Sequence, residues 1–248
     1  MEVAVMSEPG FRSTMEDAYF LDTNFSGSGC IFGGIYDGHG GKFAAIYAAE
    51  NLHKKFLKYI FEGLLPEQAF INSYHDISLD LSNQYSGCTA VNIYISEYNS
   101  KRIIYCANAG DARAILVSKN NIRQLTVDHR VYNEQERERI IKSGGLIREP
   151  YVIHQGMGLM PTRTLGDGLF KEVGVISTPD VSTYQVQDND MVLVAACDGL
   201  FDFMLNEEVA QFVFRYGDLN TLLNKLVDEV LNQRFGTDNI TIIAVRLN

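Results

Sequence analysis

Residues 31–41, with the sequence IFGGIYDGHGG, join an apolar run to a glycine-rich turn. The run that ends at Tyr36 is rich in β-branched and aromatic residues, which predicts a β-strand. Asp37 stands where this strand stops, and Gly38 lets the backbone turn sharply beside it. A carboxylate at a strand end has a rigid base and points out of the sheet. Asp37 is therefore a candidate oxygen ligand.

Further acids repeat this arrangement along the chain. They are Asp111 after residues 103–107, Asp198 after residues 191–196, Asp238 before residues 240–245, and Glu16 and Asp17 in the turn between the first two strands. Carboxylate and carbonyl oxygens are the ligands that Mg²⁺ and Mn²⁺ prefer. A single Asp-Gly pair is most often an ordinary β-turn. Repetition at several strand ends favours a metal site, although the spacing alone leaves open whether the ends converge.

The apolar periodicity predicts a mixture of strands and helices. The predicted strands are residues 3–6, 18–22, 31–36, 90–95, 103–107, 112–117, 191–196 and 240–245. The predicted helices are residues 42–64, 66–81, 133–143, 206–215 and 219–232, and residues 98–100 are the predicted tip of a hairpin. Strand hairpins beside paired helices favour an α+β layer architecture over a doubly wound parallel sheet. No linker divides the sequence, so we expect one domain, residues 1–248.

The charge of the chain restricts its partners. Its formal net charge of −10 argues against a general nucleic-acid binder, which would need a basic face. Acidic surface keeps a protein soluble, which accounts for most of this excess. We find neither a membrane-spanning stretch nor a secretion signal and expect a cytoplasmic protein without a membrane partner. The four cysteines lie in apolar runs without a CxxC pair, which predicts free, buried thiols.

Segments along essentially the whole chain resemble, in the same order, the motifs of the protein phosphatase 2C (PPM) family of metal-dependent serine/threonine phosphatases. The segments are RSTMED (12–17), DGHGG (37–41), GCTA (87–90), ANAGDARA (107–114), LTVDH (125–129), TRTLGD (162–167), AACDGLFD (195–202) and DNIT (238–241). The resemblance implies an α+β fold, a four-layer αββα sandwich in which two antiparallel β-sheets are flanked by helices. The metals would lie in a cleft at one end.

The resemblance also implies two Mg²⁺ or Mn²⁺ ions and a set of ligands. Asp37 would bridge the two ions, Glu16 and the Gly38 carbonyl would hold one, and the other would be held by two further acids. These two acids are Asp198 and Asp238. Water activated by the metals would attack phosphorus without a phosphoenzyme intermediate.

Two further residues have catalytic roles by the same resemblance. Arg12 would bind the substrate phosphate with its forked guanidinium. His39 would be the general acid that protonates the leaving serine or threonine oxygen. The alternative for His39 is a supporting role for Asp37 or its water.

Three more acids are candidates for a third, weaker metal site or for a supporting role. Asp111 and Asp202 are the third-metal candidates, and Asp167 would hold a water or a backbone N–H. An ordinary turn is the alternative for each. The chain has Arg130-Val131 where the family often has Lys-Pro, and Thr162-Arg163-Thr164 where Ser-Arg-Ala is usual. We expect both departures to lie away from the metal ligands and to leave catalysis intact.

The resemblance implies phosphoprotein substrates, an opposing serine/threonine kinase and a monomeric enzyme. By the same resemblance, residues 146–161, called the flap below, correspond to the segment that borders the active site and shapes substrate choice, which predicts a mobile recognition element; the alternative is an ordinary surface loop. One alternative is a binding or regulatory module with the same fold, against which the intact acid set with Arg12 and His39 argues. The other is a two-metal hydrolase of small phosphate esters, for which the sequence offers no nucleotide-cradling loop.

Overall fold

Two antiparallel five-stranded sheets form the centre of the computed structural model, which describes residues 1–98 and 101–247. The strands are β1 (Glu2–Glu8), β2 (Ala18–Asp22), β3 (Ile31–Tyr36), β4 (Gly38–His39), β5 (Gly87–Cys88), β6 (Ala90–Tyr98), β7 (Lys101–Ala109), β8 (Arg113–Ser118), β9 (Asn121–Gln124), β10 (Leu146–Arg148), β11 (Tyr151–His154), β12 (Met157–Leu159), β13 (Leu165–Gly166), β14 (Asp180–Gln185), β15 (Asp190–Ala196) and β16 (Ile240–Arg246). The helices are α1 (Phe43–Phe61), α2 (Pro66–Asp80), α3 (Glu134–Lys142), α4 (Gly168–Lys171), α5 (Asp198–Phe201), α6 (Asn206–Arg215) and α7 (Leu219–Asp228), and a π-helical turn, Glu229–Gln233, continues α7.

The two large sheets pack face to face. One has the strand order β1-β16-β15-β8-β9 and the other β14-β7-β6-β3-β2. Ile35 and Ile93 of the second sheet share a buried cluster with Leu193 and Ile243 of the first. This cluster is the core between the sheets, as expected for an aligned sandwich.

Pairs of helices cover the outer faces. Phe32 packs against α1 and α2 through Phe56 and Phe70, whereas Val194 and Ile242 pack against α6 and α7. Successive residues of a strand point to opposite faces, so central strands that are covered on both sides are apolar throughout. The order of layers is helix, sheet, sheet, helix, and the predicted α+β sandwich is confirmed.

Most predicted elements lie where the periodicity indicated them. The helix predicted for residues 42–64 ends earlier, at Phe61, because Gly63 adopts a positive φ of 90°. The hairpin of β6 and β7 is present, but two of its predicted tip residues, 99 and 100, lie outside the described residues. Strand β14 was missed because it is an edge strand with alternating polar residues.

The flap is a small antiparallel sheet, β10-β11-β12, rather than an irregular loop. Its residues Val152 and Leu159 pack on Ile140 of α3 and on Phe170. Together these side chains form a core that is separate from the sandwich. Among the described residues, no helix has the length and apolarity needed to cross a membrane. The cysteines are free; Cys88, Cys106 and Cys197 are buried as predicted, whereas Cys30 is half-buried.

Candidate active site

The ends of the central strands converge on one cleft of about 420 Å³. All of the site residues predicted from the sequence line this cleft except Asp202. Asp37 follows β3 of one sheet, and Asp198 follows β15 of the other. The cleft therefore lies at one end of the sandwich, where the two sheets present their acids to each other.

Two glycines that follow the acids permit this close approach. A Cβ at Gly38 would collide with the carbonyl oxygen of Glu16, and a Cβ at Gly199 would collide with that of Asn239. The Asp-Gly pairs are thus more than turn-formers, since each glycine lets a second acidic segment pack directly against the strand end.

The carboxylates of the cleft crowd one another. Burial raises the pKa of Asp37 well above its usual range, and the nearby charges of Asp198, Asp17 and Asp111 raise it further. Burial likewise raises the pKa of Asp198 to about 8, with added contributions from Asp111 and Asp202. Bringing buried like charges together is unfavourable unless a cation neutralises them. An all-oxygen set of this charge fits hard divalent cations such as Mg²⁺ or Mn²⁺.

Asp17 is buried beside the cleft, next to Asp37, although the motif resemblance implies a ligand role only for its neighbour Glu16. A carboxylate oxygen of Asp17, one of Asp37 and the Sγ of Cys197 lie within 4.8 Å of one another. Asp17 accepts a hydrogen bond from Thr241 Oγ1 at 2.7 Å, and burial raises its pKa to about 6. Its position directly before an apolar strand was the signal that could have indicated it.

Glu16 and the residues beside it are held by Asn239, which lies directly before the last strand, β16. Asn239 accepts a hydrogen bond from the Glu16 backbone N–H at 2.9 Å and donates to the carbonyl of Thr14 at 3.0 Å. The Glu16 carboxylate accepts from the backbone N–H of Gly41 at 3.2 Å. The predicted ligand Glu16 is therefore tied to both the DNIT segment and the DGHGG turn.

Arg12 lies at the rim of the cleft. Its Nη2 donates to Asp238 Oδ2 at 2.7 Å, and the two side chains are 57% and 39% exposed. An ion pair this exposed contributes little to stability, so the guanidinium is free to exchange this carboxylate for another anion.

His39 is paired with Asp167 across the small sheet β13-β5-β4. Its Nε2 lies 2.7 Å from Asp167 Oδ2, and Asp167 is buried. A Cβ at Gly87 of β5 would collide with the Asp167 carboxylate, so glycine is required between them. The Asp167 carboxylate thus contacts the imidazole of His39, and its role of holding a water or a backbone N–H stays a prediction.

Arg130 lies among the predicted metal ligands, and the expectation that this departure lies away from them was wrong. Its Nε lies 2.7 Å from Asp111 Oδ2, its Nη2 3.0 Å from Asp198 Oδ2, and its Nη1 2.9 Å from Asp202 Oδ1. The reason is that His129 folds back on Gly110, with a backbone hydrogen bond of 2.9 Å. The other departure does lie away from them, because Thr162 donates to Glu136 and Thr164 accepts from Lys171.

His129 braces this fold. It is fully buried, its Nδ1 accepts from the Gly110 N–H at 3.2 Å, and its Nε2 lies 3.1 Å from Asp180 Oδ2. The flap closes the other side of the cleft with Met157 and Met160.

Comparisons with known proteins agree with this geometry. The family model described as protein phosphatase 2C matches residues 1–239. Protein phosphatase 2C homolog 2 of Aspergillus fumigatus is 33% identical over 96% of the chain, which spans 62% of that relative. A probable protein phosphatase 2C of Caenorhabditis elegans is 34% identical over 96% of the chain, which spans 72% of that relative.

Solved structures share the fold. A serine-threonine phosphatase 2C from Toxoplasma gondii superimposes with a TM-score of 0.86 at 22% identity, covering 99% of this chain and 94% of the other. A bacterial serine phosphatase gives a TM-score of 0.75 at 20% identity, covering 100% of this chain and 98% of the other. Because the family model matches nearly the full length of the chain and these relatives are more than 30% identical to it, the chain belongs to the protein phosphatase 2C family of metal-dependent serine/threonine phosphatases.

Proposed function

We propose that this chain hydrolyses phosphoserine and phosphothreonine in proteins with two Mg²⁺ or Mn²⁺ ions. The observation that carries the proposal is the meeting of Glu16, Asp37, Asp198 and Asp238 at one cleft. When bound, the two ions would neutralise these carboxylates, polarise the phosphoryl group and acidify an attacking water, without a phosphoenzyme.

The residues that would hold the ions follow from their places in the cleft. Asp37 has two carboxylate oxygens and lies near the charges of both Asp198 and Asp17, which suits a bridging ligand. Glu16 and the Gly38 carbonyl would hold one ion together, which the close packing of the Glu16 backbone on Gly38 supports. Asp198 and Asp238 come from the opposite sheet, at the end of β15 and before β16. Asp17, which has a carboxylate oxygen within 4.8 Å of one of Asp37, would help to position the Asp37 carboxylate.

Arg12 would bind the phosphate of the substrate. Its exposed guanidinium is at the rim of the cleft, 2.7 Å from Asp238. A guanidinium matches two phosphate oxygens and stabilises charge during phosphoryl transfer. A substrate phosphate would exchange with the Asp238 carboxylate, which would then be available to a cation.

His39 would donate a proton to the leaving serine or threonine oxygen. Asp167, as a carboxylate partner at 2.7 Å, would fix the ring orientation and the tautomer. An alkoxide needs a proton on leaving, whereas the nitrophenolate of p-nitrophenyl phosphate does not. We expect His39→Ala to slow phosphoserine peptides by about 10²-fold and p-nitrophenyl phosphate much less. Equal losses on both substrates would remove the general-acid assignment.

The proposed substrates are phosphoproteins, so the enzyme would oppose a serine/threonine kinase. The cleft is open, and its wall includes the apolar side chains Met157, Met160 and Leu169, which suit a peptide better than a nucleotide. A cytoplasmic, monomeric enzyme without nucleic-acid or membrane partners remains our prediction from the sequence.

The test is phosphate release from a phosphoserine peptide and from p-nitrophenyl phosphate, with Mn²⁺ or with EDTA. The variants are wild type, Asp37→Ala and, as a matched control, Asp188→Ala in an exposed turn. Release that needs Mn²⁺ and is lost only in Asp37→Ala would support the proposal. Mn²⁺ binding without release from either substrate would favour a binding module. Release from p-nitrophenyl phosphate alone would favour a hydrolase of small esters.

A further inference from the structure

We infer that Arg130 is a built-in cation that occupies the third-metal position, so that this chain holds two divalent ions and never a third. The inference rests on the proposed two-metal function and concerns the acids Asp111, Asp198 and Asp202. Their carboxylates surround a single guanidinium at 2.7, 3.0 and 2.9 Å. Each distance is that of a charge-assisted hydrogen bond.

The geometry leaves little room for a metal at the same point. Arg130 presents Nε, Nη1 and Nη2 to three different carboxylates, so that each acid has an oxygen engaged by the guanidinium. The side chain of Arg130 is 19% exposed and that of Asp111 is 3% exposed. A divalent ion would have to displace a largely buried guanidinium that does not deprotonate in proteins.

The backbone holds Arg130 in this place. His129 donates its N–H to the Gly110 carbonyl at 2.9 Å and accepts from the Thr162 N–H at 2.8 Å. Arg130 itself forms a β-bridge with Pro161, at the end of the flap. The backbone is therefore held both at His129 and at Arg130 itself. Because of this, the fold directs the guanidinium at the acids, and their contact does not depend on a flexible surface side chain.

The charges of the cleft then divide into two groups. Asp37, Asp238 and Glu16 would hold the two proposed ions, while Arg130 neutralises Asp111, which lines the cleft, and Asp202, which lies beside it. Asp198 stands at the boundary, with its Oδ2 bonded to Arg130 at 3.0 Å. Arg130 is thus also a positioning residue, because it sets the orientation of the Asp198 carboxylate.

The experiment is a titration of the whole chain with Mn²⁺, followed by electron paramagnetic resonance of the free ion and by calorimetry, into the millimolar range. We expect two ions per chain for wild type and for Arg215→Ala, which removes an exposed arginine elsewhere. We expect a third, weaker ion in Arg130→Ala and in Arg130→Gln, which keeps much of the side-chain length without its charge. Adding Asp202→Asn to Arg130→Ala should return the count to two.

Other results would overturn the inference. A third ion in wild type that disappears in Asp202→Asn would mean that the guanidinium yields to the metal. A count of two in both Arg130 variants, with circular dichroism unchanged, would mean that these acids form no cation site. The absence of any Mn²⁺ binding in wild type would overturn the two-metal proposal itself, and the inference with it.

Discussion

Buried carboxylates have their pKa shifted in opposite directions in the acidic cleft and around Glu136. In the cleft, burial and neighbouring acids raise the pKa of Asp37 and of Asp198. Glu136 of α3 has a side chain only 2% exposed, and burial alone would raise its pKa too. Hydrogen bonds from Arg139, Arg163 and Thr162 instead lower it to about 2.

The difference separates structural acids from functional ones. Glu136 is neutralised by the chain's own arginines, at 2.6 Å from Arg139 and 2.8 Å from Arg163, and it ties α3 to the segment that follows the flap. Among the described residues, Asp37 has no such basic partner. A carboxylate that the fold buries without a counter-charge lowers stability, which is typical of a site that binds an external cation. Arg130 combines the two cases, because it neutralises Asp111 and Asp202 and also contacts Asp198, a proposed metal ligand.

The largest expected effect is on Asp37. Asp37→Asn should lower metal-dependent phosphatase activity by about 10³-fold, because metal assistance contributes several kcal/mol to the transition state. In EDTA the same variant should unfold at a higher temperature, by about 2–4 °C for each kcal/mol of repulsion removed. Thermal unfolding by circular dichroism checks this, with Asp188→Asn as the control. A lower unfolding temperature in EDTA would contradict the repulsion argument.

Glu136→Gln should act in the opposite direction. It removes the charge that two arginines neutralise, and we expect a loss of about 3 kcal/mol in the free energy of unfolding, from a pKa that lies well below the ordinary value. Urea denaturation measures the loss. Glu138→Gln is the matched control, since Glu138 is exposed on the same helix and, within residues 1–98 and 101–247, pairs only with Lys142. Similar stabilities for the two variants would mean that the Glu136 network is not structural.

Asp167→Asn should have a smaller effect, of roughly 10-fold on phosphoserine peptides. The change keeps the shape but removes the charge that faces His39 at 2.7 Å. If Asp167 positions the general acid, p-nitrophenyl phosphate hydrolysis should change little and the double variant with His39→Ala should be no slower than His39→Ala alone. A parallel loss on both substrates would assign Asp167 a purely structural role.

Acid should weaken the Glu136 network gradually. Its pKa falls from an ordinary 4.5 to about 2 in the folded chain. The stabilisation is therefore complete above pH 4.5 and is lost as the pH falls towards 2, at about 1 kcal/mol per pH unit. Urea denaturation of wild type and Glu136→Gln in this range measures it. The difference between the two should shrink as the pH falls; a constant difference would contradict the assignment.

Much of the fold could be predicted because it depends on local pattern. Strands β3 and β15 are apolar throughout because both of their faces are covered, and helix α2 begins at Pro66, a residue suited to the first turn. The two-residue strands, β9, the flap strands β10, β11 and β12, and the edge strand β14 escaped prediction, since short or polar segments carry little periodicity.

The candidate site could likewise be predicted only in part. The residues implied by the motif resemblance line one cleft, with the exception of Asp202, but the resemblance did not predict how they pair. Asp167 and His39 are 128 residues apart, and their contact depends on the small sheet β13-β5-β4. Arg130 lies 68 residues from Asp198. No spacing rule connects either pair.

The sequence by itself determined the order of elements, the acids at strand ends and the family, because each is encoded in neighbouring residues. Only the tertiary structure decided which acids share a counter-charge, which acids face one another, and that Arg130 contacts the cleft acids Asp111 and Asp198. The physical reason is that Coulomb interactions and burial depend on distance in space, which folding sets independently of distance along the chain.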